Sequence, residues 1–313
     1  MTKSSKVLGY ILAGLCVFFW GITFICTKSL LQDFSSLEIL FVRFLLAYIA
    51  LWIIHPKWEK IQFKDNWLFL LAGLSGIVVY QFSENIAINF TSASNVSVIV
   101  SICPMFTALF SQIFLKEKNI TPFFIIGFVI AILGVFLVSF NGGKTVNFHI
   151  NPKGDLIALL SAISWGFYSI FVSMVNKKNY ELVASTRRMF LFALIILSFL
   201  MIFGLTQSPQ SPAYVSLAKN VNSMRFSKFS NWLYLCFLGI IASGFCFVAW
   251  NKACNIVGTV KVSVGLYLIP VVTIIFAFIF LGEKITLLGA SGALLVITGL
   301  IISGIQKSKK QKI

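Results

Sequence analysis

The chain has 313 residues, 58% hydrophobic and 11% charged, with a formal net charge of +16 and a mean hydropathy of +0.95. That apolarity excludes a soluble domain and leaves a multi-span membrane protein. The basic excess, which on a soluble domain would point to nucleic acid, here reads as lysines that hold loops on the cytoplasmic side, so no nucleic-acid partner is expected.

About 20 apolar residues at 1.5 Å rise cross a bilayer core of roughly 30 Å. Runs of that kind predict helices over 7–29, 36–54, 67–89, 92–115, 121–140, 154–176, 182–204, 231–253, 257–281 and 285–305. The first run, from Val7 to Thr27 behind Lys3 and Lys6, is longer than a signal-peptide core and reads as an uncleaved span. With the amino terminus inside, the inside segments hold 13 Lys and the outside loops hold 6 Lys or Arg, so both termini are expected in the cytoplasm. The loops are short, which leaves no room for a soluble catalytic domain. The segment at 206–229, containing Ser, Pro, Asn and Gln, is the longest extra-membrane loop.

The six cysteines fall in or at the ends of apolar runs, and His55 and His149 sit in or beside loops. Neither set has metal-ligand spacing, so no metal and no cofactor is expected. No Walker motif is visible, so the work comes from a gradient or from exchange, with a proton or a counter-substrate as the coupling partner. A channel would need rings of like charge, and an enzyme acting on lipid-borne groups would need clustered acids, histidines or a nucleophile; nine spread acids supply neither.

The second half repeats the first. Trp20-Gly21 recurs as Trp165-Gly166 and Arg43 as Arg188, both 145 positions on. Asn66-Trp67 recurs as Asn231-Trp232. Pro104 and the Leu115-Lys116-Glu117-Lys118 end of span four recur as Pro270 and Leu281-Gly282-Glu283-Lys284, 166 positions on. Gly127 and Gly134 match Gly292 and Gly299. Five spans per half is an odd number, so the second half enters the membrane from the opposite side. The expected fold class is an all-α integral membrane protein: ten transmembrane helices in two inverted five-helix repeats, 7–140 and 154–305.

These paired motifs resemble the drug/metabolite transporter superfamily, specifically ten-span members with two EamA-type repeats, from about Val7 to Gly304. The resemblance implies a carrier for small metabolites in an inner or plasma membrane, often an exporter. It does not select among amino acids, sugars, nucleotide sugars and drugs.

Candidate site residues come from polar and aromatic groups placed inside apolar spans. Pro104 and Pro270 free backbone carbonyls within their spans, and lipid requires those groups to find a partner. Ser97, Ser101 and Pro104 share one helical face, matched by Ser263, Tyr267 and Pro270. Trp20 and Thr23 share a face of span one, matched by Trp165 and Tyr168; a tryptophan at mid-span suits a cavity wall better than an interface. The rival reading of the prolines is a packing kink, and of the Trp-Gly pairs a helix contact.

Tyr80 and Glu84 share a face of span three. Intramembrane acids are costly and functional by default. Glu84 is expected to bind a proton or a substrate amine, or else to form a structural ion pair with Arg43. Asn85 matches Asn251, and either lines the path or bonds between helices. Arg188 is expected to meet a substrate anion or to pair with Glu84, whereas Arg187, Lys252 and Lys261 read as snorkelling groups. The glycines at seven-residue spacing read as helix contacts in peripheral spans five and ten.

The functional expectation is a secondary active transporter of a small amino-acid-like or other amphipathic solute, working by alternating access. An exchanger of phosphorylated sugars or nucleotide sugars is the alternative. The small-molecule substrate and the lipid bilayer are the expected partners, and a homodimer stays open.

Overall fold

The computed structural model describes residues 3–90, 96, 99–139, 152–205, 223–281 and 286–303. Among these, ten helical rods and no strand are found. They are α1 (Lys3–Leu30), α2 (Ser36–Ile54), α3 (66–90), α4 (Cys103–Phe114), α5 (Pro122–Ser139), α6 (Pro152–Asn176), α7 (Leu182–Leu205), α8 (229–257), α9 (259–281) and α10 (Leu287–Ser303). Six helices are long and apolar enough to cross a membrane, in α1, α2, α3, α6, α7 and α8; the apolar helices in α4, α5, α9 and α10 are shorter. The protein is a multi-pass, all-α membrane protein. Of the 206–229 loop, 206–222 lie outside the described residues, as do Ser97 and His149.

Three rods are not uniform α-helix. The middle of α3, Leu74–Val79, and the middle of α8, Phe237–Phe245, are π-helical. A π turn takes carbonyls out of the ordinary ladder and recurs at functional sites. Here side chains from other helices take two of them: Ser164 Oγ donates to Ser75 O at 2.8 Å, and Trp20 Nε1 donates to Ala242 O at 2.9 Å. The third rod, α9, runs as Thr259–Ser263, then a 3-10 turn over Val264–Leu268, then Ile269–Leu281. Pro270 sits in the first turn after that break, and Pro104 is the second residue of α4. Both prolines therefore start a helical segment, where the missing N–H costs least, and do not interrupt one. Gly258, at φ +101°, makes the bend from α8 into α9 that a Cβ would strain.

Each half packs mainly on the other. Helix α1 lies against α8 and α9, α6 lies against α3 and α4, and α2 packs on the π segment of α8. The Trp-Gly pairs set two of these contacts. A Cβ on Gly21 would come within 2.5 Å of Val272 Cγ1 on α9, and one on Gly166 within 2.9 Å of Phe106 Cβ on α4. Helices α5 and α10 form a separate close pair: a Cβ at Gly134 would stand 2.7 Å from the Gly292 carbonyl. Small residues at seven-residue spacing allow that backbone approach. The buried core at the centre is aromatic, with Phe44, Phe190, Phe247, Tyr168 and Trp250 all nearly or fully enclosed.

Candidate substrate cavity

A cavity of about 70 Å³ lies among helices of both halves. Helix α1 contributes Trp20, Thr23 and Phe24, α2 contributes Arg43, and α3 contributes Tyr80, Gln81 and Glu84. Val100, Ser101 and Cys103 border it at the start of α4. The second half adds Trp165 of α6, Phe247 of α8, and Leu266, Ile269 and Pro270 of α9.

Aromatic rings form one wall. The Trp165 ring centroid is 4.8 Å from that of Tyr80, 5.7 Å from that of Trp20 and 6.0 Å from that of Trp250. Trp20 is fixed from both sides, by its indole bond to Ala242 O and by Thr23 Oγ1 donating to Trp20 O at 2.7 Å. Opposite charges share the lining without pairing. Arg43 Nε donates to Ser243 Oγ at 2.9 Å, and no contact within 4.0 Å joins it to Glu84 among the described ion pairs. Ser243 belongs to the π segment of α8, so that segment holds both Trp20 and Arg43. The Tyr80 hydroxyl lies within hydrogen-bonding reach of the Glu84 carboxylate, one helical turn away. Glu84 Oε2, Gln81 Oε1 and Trp165 Nε1 are buried with no hydrogen-bond partner. In a low-dielectric interior each such group costs of the order of a lost hydrogen bond or more. Three on the wall of one cavity fit a site that water or a polar solute completes.

Several expected site residues lie elsewhere. Tyr168 is fully buried behind the wall, donating from its hydroxyl to Asn251 Oδ1 at 2.9 Å. Asn251 Nδ2 in turn donates to Thr186 Oγ1 at 3.2 Å, so Tyr168 and Asn251 tie α6, α7 and α8 together. Asn85 is buried off the cavity, because it falls about 100° round the helix from Glu84. Tyr267 is buried against Phe128, with centroids 6.4 Å apart, and its neighbour Leu266 faces the cavity instead. The 3-10 turn advances about 120° per residue and shifts the face that α-helical spacing predicts. Arg188 is also off the cavity. Its Nε donates to Asn66 Oδ1 at 3.1 Å, and its guanidinium carbon is 5.9 Å from the Trp58 ring centroid, in a small separate pocket. Pro104 does not line the cavity, though Pro270 does.

Gln81, Phe247 and Ser243 were not singled out from the sequence. Gln81 had a signal, since it precedes Glu84 by three residues and shares its face. Ser243 had none, because its partner Arg43 is 200 residues away. No group of three or more His, Cys, Asp or Glu among the described residues is arranged to hold a metal.

Comparison with known proteins agrees with this architecture. A solved crystal structure superimposes with a TM-score of 0.75 over 97% of each chain at 16% identity, which establishes the fold. The chain is 28% identical over 317 residues to YvbV of Bacillus subtilis, covering all of this chain and 96% of that one, and 27% identical over 293 residues to a protein of Archaeoglobus fulgidus, covering 94% and 97%. Both are named uncharacterized transporters. The EamA-like transporter family matches twice, over residues 7–140 and 152–305. The chain belongs to the EamA-like transporter family.

Proposed function

We propose that this protein is a ten-span secondary transporter of an inner or plasma membrane, with both termini cytoplasmic. It exports a small amino-acid-like solute by alternating access between two inverted five-helix halves. The observation that supports this most is the unpaired placement of Glu84 and Arg43 on one cavity wall. An ammonium group suits the unpartnered Glu84 Oε2 and Gln81 Oε1, and a carboxylate suits the Arg43 guanidinium. The aromatic wall suits a small apolar side chain. A proton exchanging at Glu84, or a counter-substrate, drives the cycle.

Size and charge count against phosphorylated sugars and nucleotide sugars. A void of about 70 Å³ holds on the order of five waters, which matches a solute of few heavy atoms. Arg43 is the one cation on its wall among the described residues.

The test is a thermal-shift screen of the purified protein with α-amino acids, sugar phosphates and nucleotide sugars, followed by counterflow in proteoliposomes. Amino acids are expected to stabilise and exchange, and Glu84→Gln to lower exchange by at least about tenfold. Exchange of sugar phosphates with none of amino acids would overturn the substrate class. Reporters fused after Ile313 and within 206–229 should report opposite sides; same-side signals would overturn the ten-span topology.

A further inference from the structure

Trp20 and Trp165 occupy matched positions in the two halves and both line the cavity, yet their indole N–H groups differ. That of Trp20 is taken by the carbonyl of Ala242, released by the π segment of α8. The corresponding π segment in α3 offers Trp165 nothing. There the Tyr168 ring covers Gly76, so closely that a Cβ on that glycine would overlap it, and the Ser75 carbonyl is occupied by Ser164. Trp165 is only 3% exposed, and its Nε1 is buried without a partner. An indole nitrogen donates and cannot accept. A buried donor left open in one half, where its counterpart is bonded to protein, is one that a ligand acceptor completes.

We infer that Trp165 is the specificity-determining indole of the cavity, donating its N–H to an acceptor oxygen of the transported solute, while Trp20 is a positioning strut. The inference rests on the substrate reading above for the identity of that oxygen, a carboxylate shared with Arg43. It does not rest on it for the difference between the two tryptophans. A site built to donate to a carboxylate rejects an analogue that lacks this acceptor, because the donor would stay unpaired. Trp165 therefore discriminates an amino acid from the amine that lacks its carboxylate. Glu84 and Gln81, with open acceptors in the lining of the same cavity, make the opposite demand.

The experiment uses the full-length protein in nanodiscs with 15N-labelled tryptophan, its indole signals assigned by single Trp→Phe variants. In the ligand-free protein the Trp20 indole proton is expected downfield, bonded to a carbonyl, and that of Trp165 upfield of it. Titration with the neutral L-α-amino acid giving the largest thermal shift should move the Trp165 signal downfield and leave that of Trp20 in place. Trp165→Phe, which keeps a ring and removes the N–H, should raise the KM for that amino acid about tenfold and shrink the preference over the amine that lacks its carboxylate. Trp20→Phe should lower thermal stability more than Trp165→Phe does, with the smaller change in KM. A Trp165→Phe variant with native KM and native discrimination against the amine would overturn the inference, and so would a ligand that moves Trp20 instead. If no amino acid binds, the substrate reading fails, and the ligand-free spectrum still decides: a Trp165 signal downfield beside that of Trp20 overturns the inference.

Discussion

At the end of the molecule that carries the turn between α1 and α2, Asp33 accepts from Lys228 Nζ at 2.8 Å and from Asn231 Nδ2 at 2.9 Å. At the opposite end, Asp65 accepts from Lys178 Nζ at 3.0 Å and from the Tyr180 hydroxyl at 2.7 Å. The two latches have the same layout. Asp33 and Lys178 are matched positions in the turns after α1 and α6, 145 residues apart. Their partners lie at the start of the third helix of the opposite half, near Asn231 and near Asn66. The charges, however, are exchanged: the turn supplies the acid at one end and the base at the other. The repeat thus preserves which segments are tied together and lets the side chains that tie them diverge. Each latch joins one half's first hairpin to the other half's third helix, in line with the interleaved packing of the core.

Arg43 and Arg188 show the same divergence deeper in the protein. Each donates its Nε to a polar side chain on the third helix of the other half, Ser243 or Asn66. Only Arg43 also borders the cavity with Glu84. The largest expected difference between the halves follows. Arg43→Leu leaves the Glu84 carboxylate with no other cation on the cavity lining among the described residues; because the two groups are not in contact, the loss should approach but not reach the roughly 3–5 kcal/mol of a broken buried pair. Arg188→Leu loses a hydrogen bond from a charged donor at a half-buried site, worth about 1.5 kcal/mol. Unfolding of both variants in mixed micelles measures this. Equal losses would show that the two arginines still have one role.

Smaller effects are expected at the latches. Asp33→Lys should lower the melting temperature, and adding Lys228→Asp should restore part of the loss by reversing the pair. Asp65→Lys with Lys178→Asp should behave likewise at the other end, although Tyr180 then loses its acceptor and recovery should be less complete. Full recovery at both ends would mean that charge alone ties the segments; none at either would mean that the latches are incidental.

Much of the fold was legible in the sequence because lipid demands long apolar runs with internally satisfied backbones. The run at 36–54 coincides with α2, and 182–204 differs from α7 by one residue. Trp20, Thr23, Tyr80, Glu84, Ser101 and Trp165 stood out because polar or amphipathic groups are rare inside such runs, and the structure gathers all six around one cavity. What the sequence hid lies where regular helical spacing fails or partners are remote. The 3-10 turn put Leu266 where Tyr267 was expected. The π segments, which carry Ser243 and the Ala242 carbonyl, leave no mark in apolar periodicity. Arg188 was expected to meet a substrate anion, yet it lies on Asn66 away from the cavity, because the repeat shows position along the chain and not which neighbours a side chain meets.

The smallest expected effect is the pH response of the Asp33 latch. Hydrogen bonds from Lys228 and Asn231 hold the Asp33 carboxyl below its ordinary value. A depressed folded-state value means that the charged form is the one folding favours. The contribution is therefore complete above the unfolded value, about 3.9. It is lost as the pH falls through the lower folded value. The melting temperature of the wild-type protein should carry no Asp33 contribution to any change between pH 8 and pH 5, and should fall more steeply below about pH 4 than that of Asp33→Asn. The Lys228 side of the pair is solvent-facing, so the difference should also shrink in high salt. Parallel curves for the two proteins down to the acid limit would show that the latch makes no net contribution, leaving the ion pair of Arg225 with Glu38, at 2.8 Å, to tie that end.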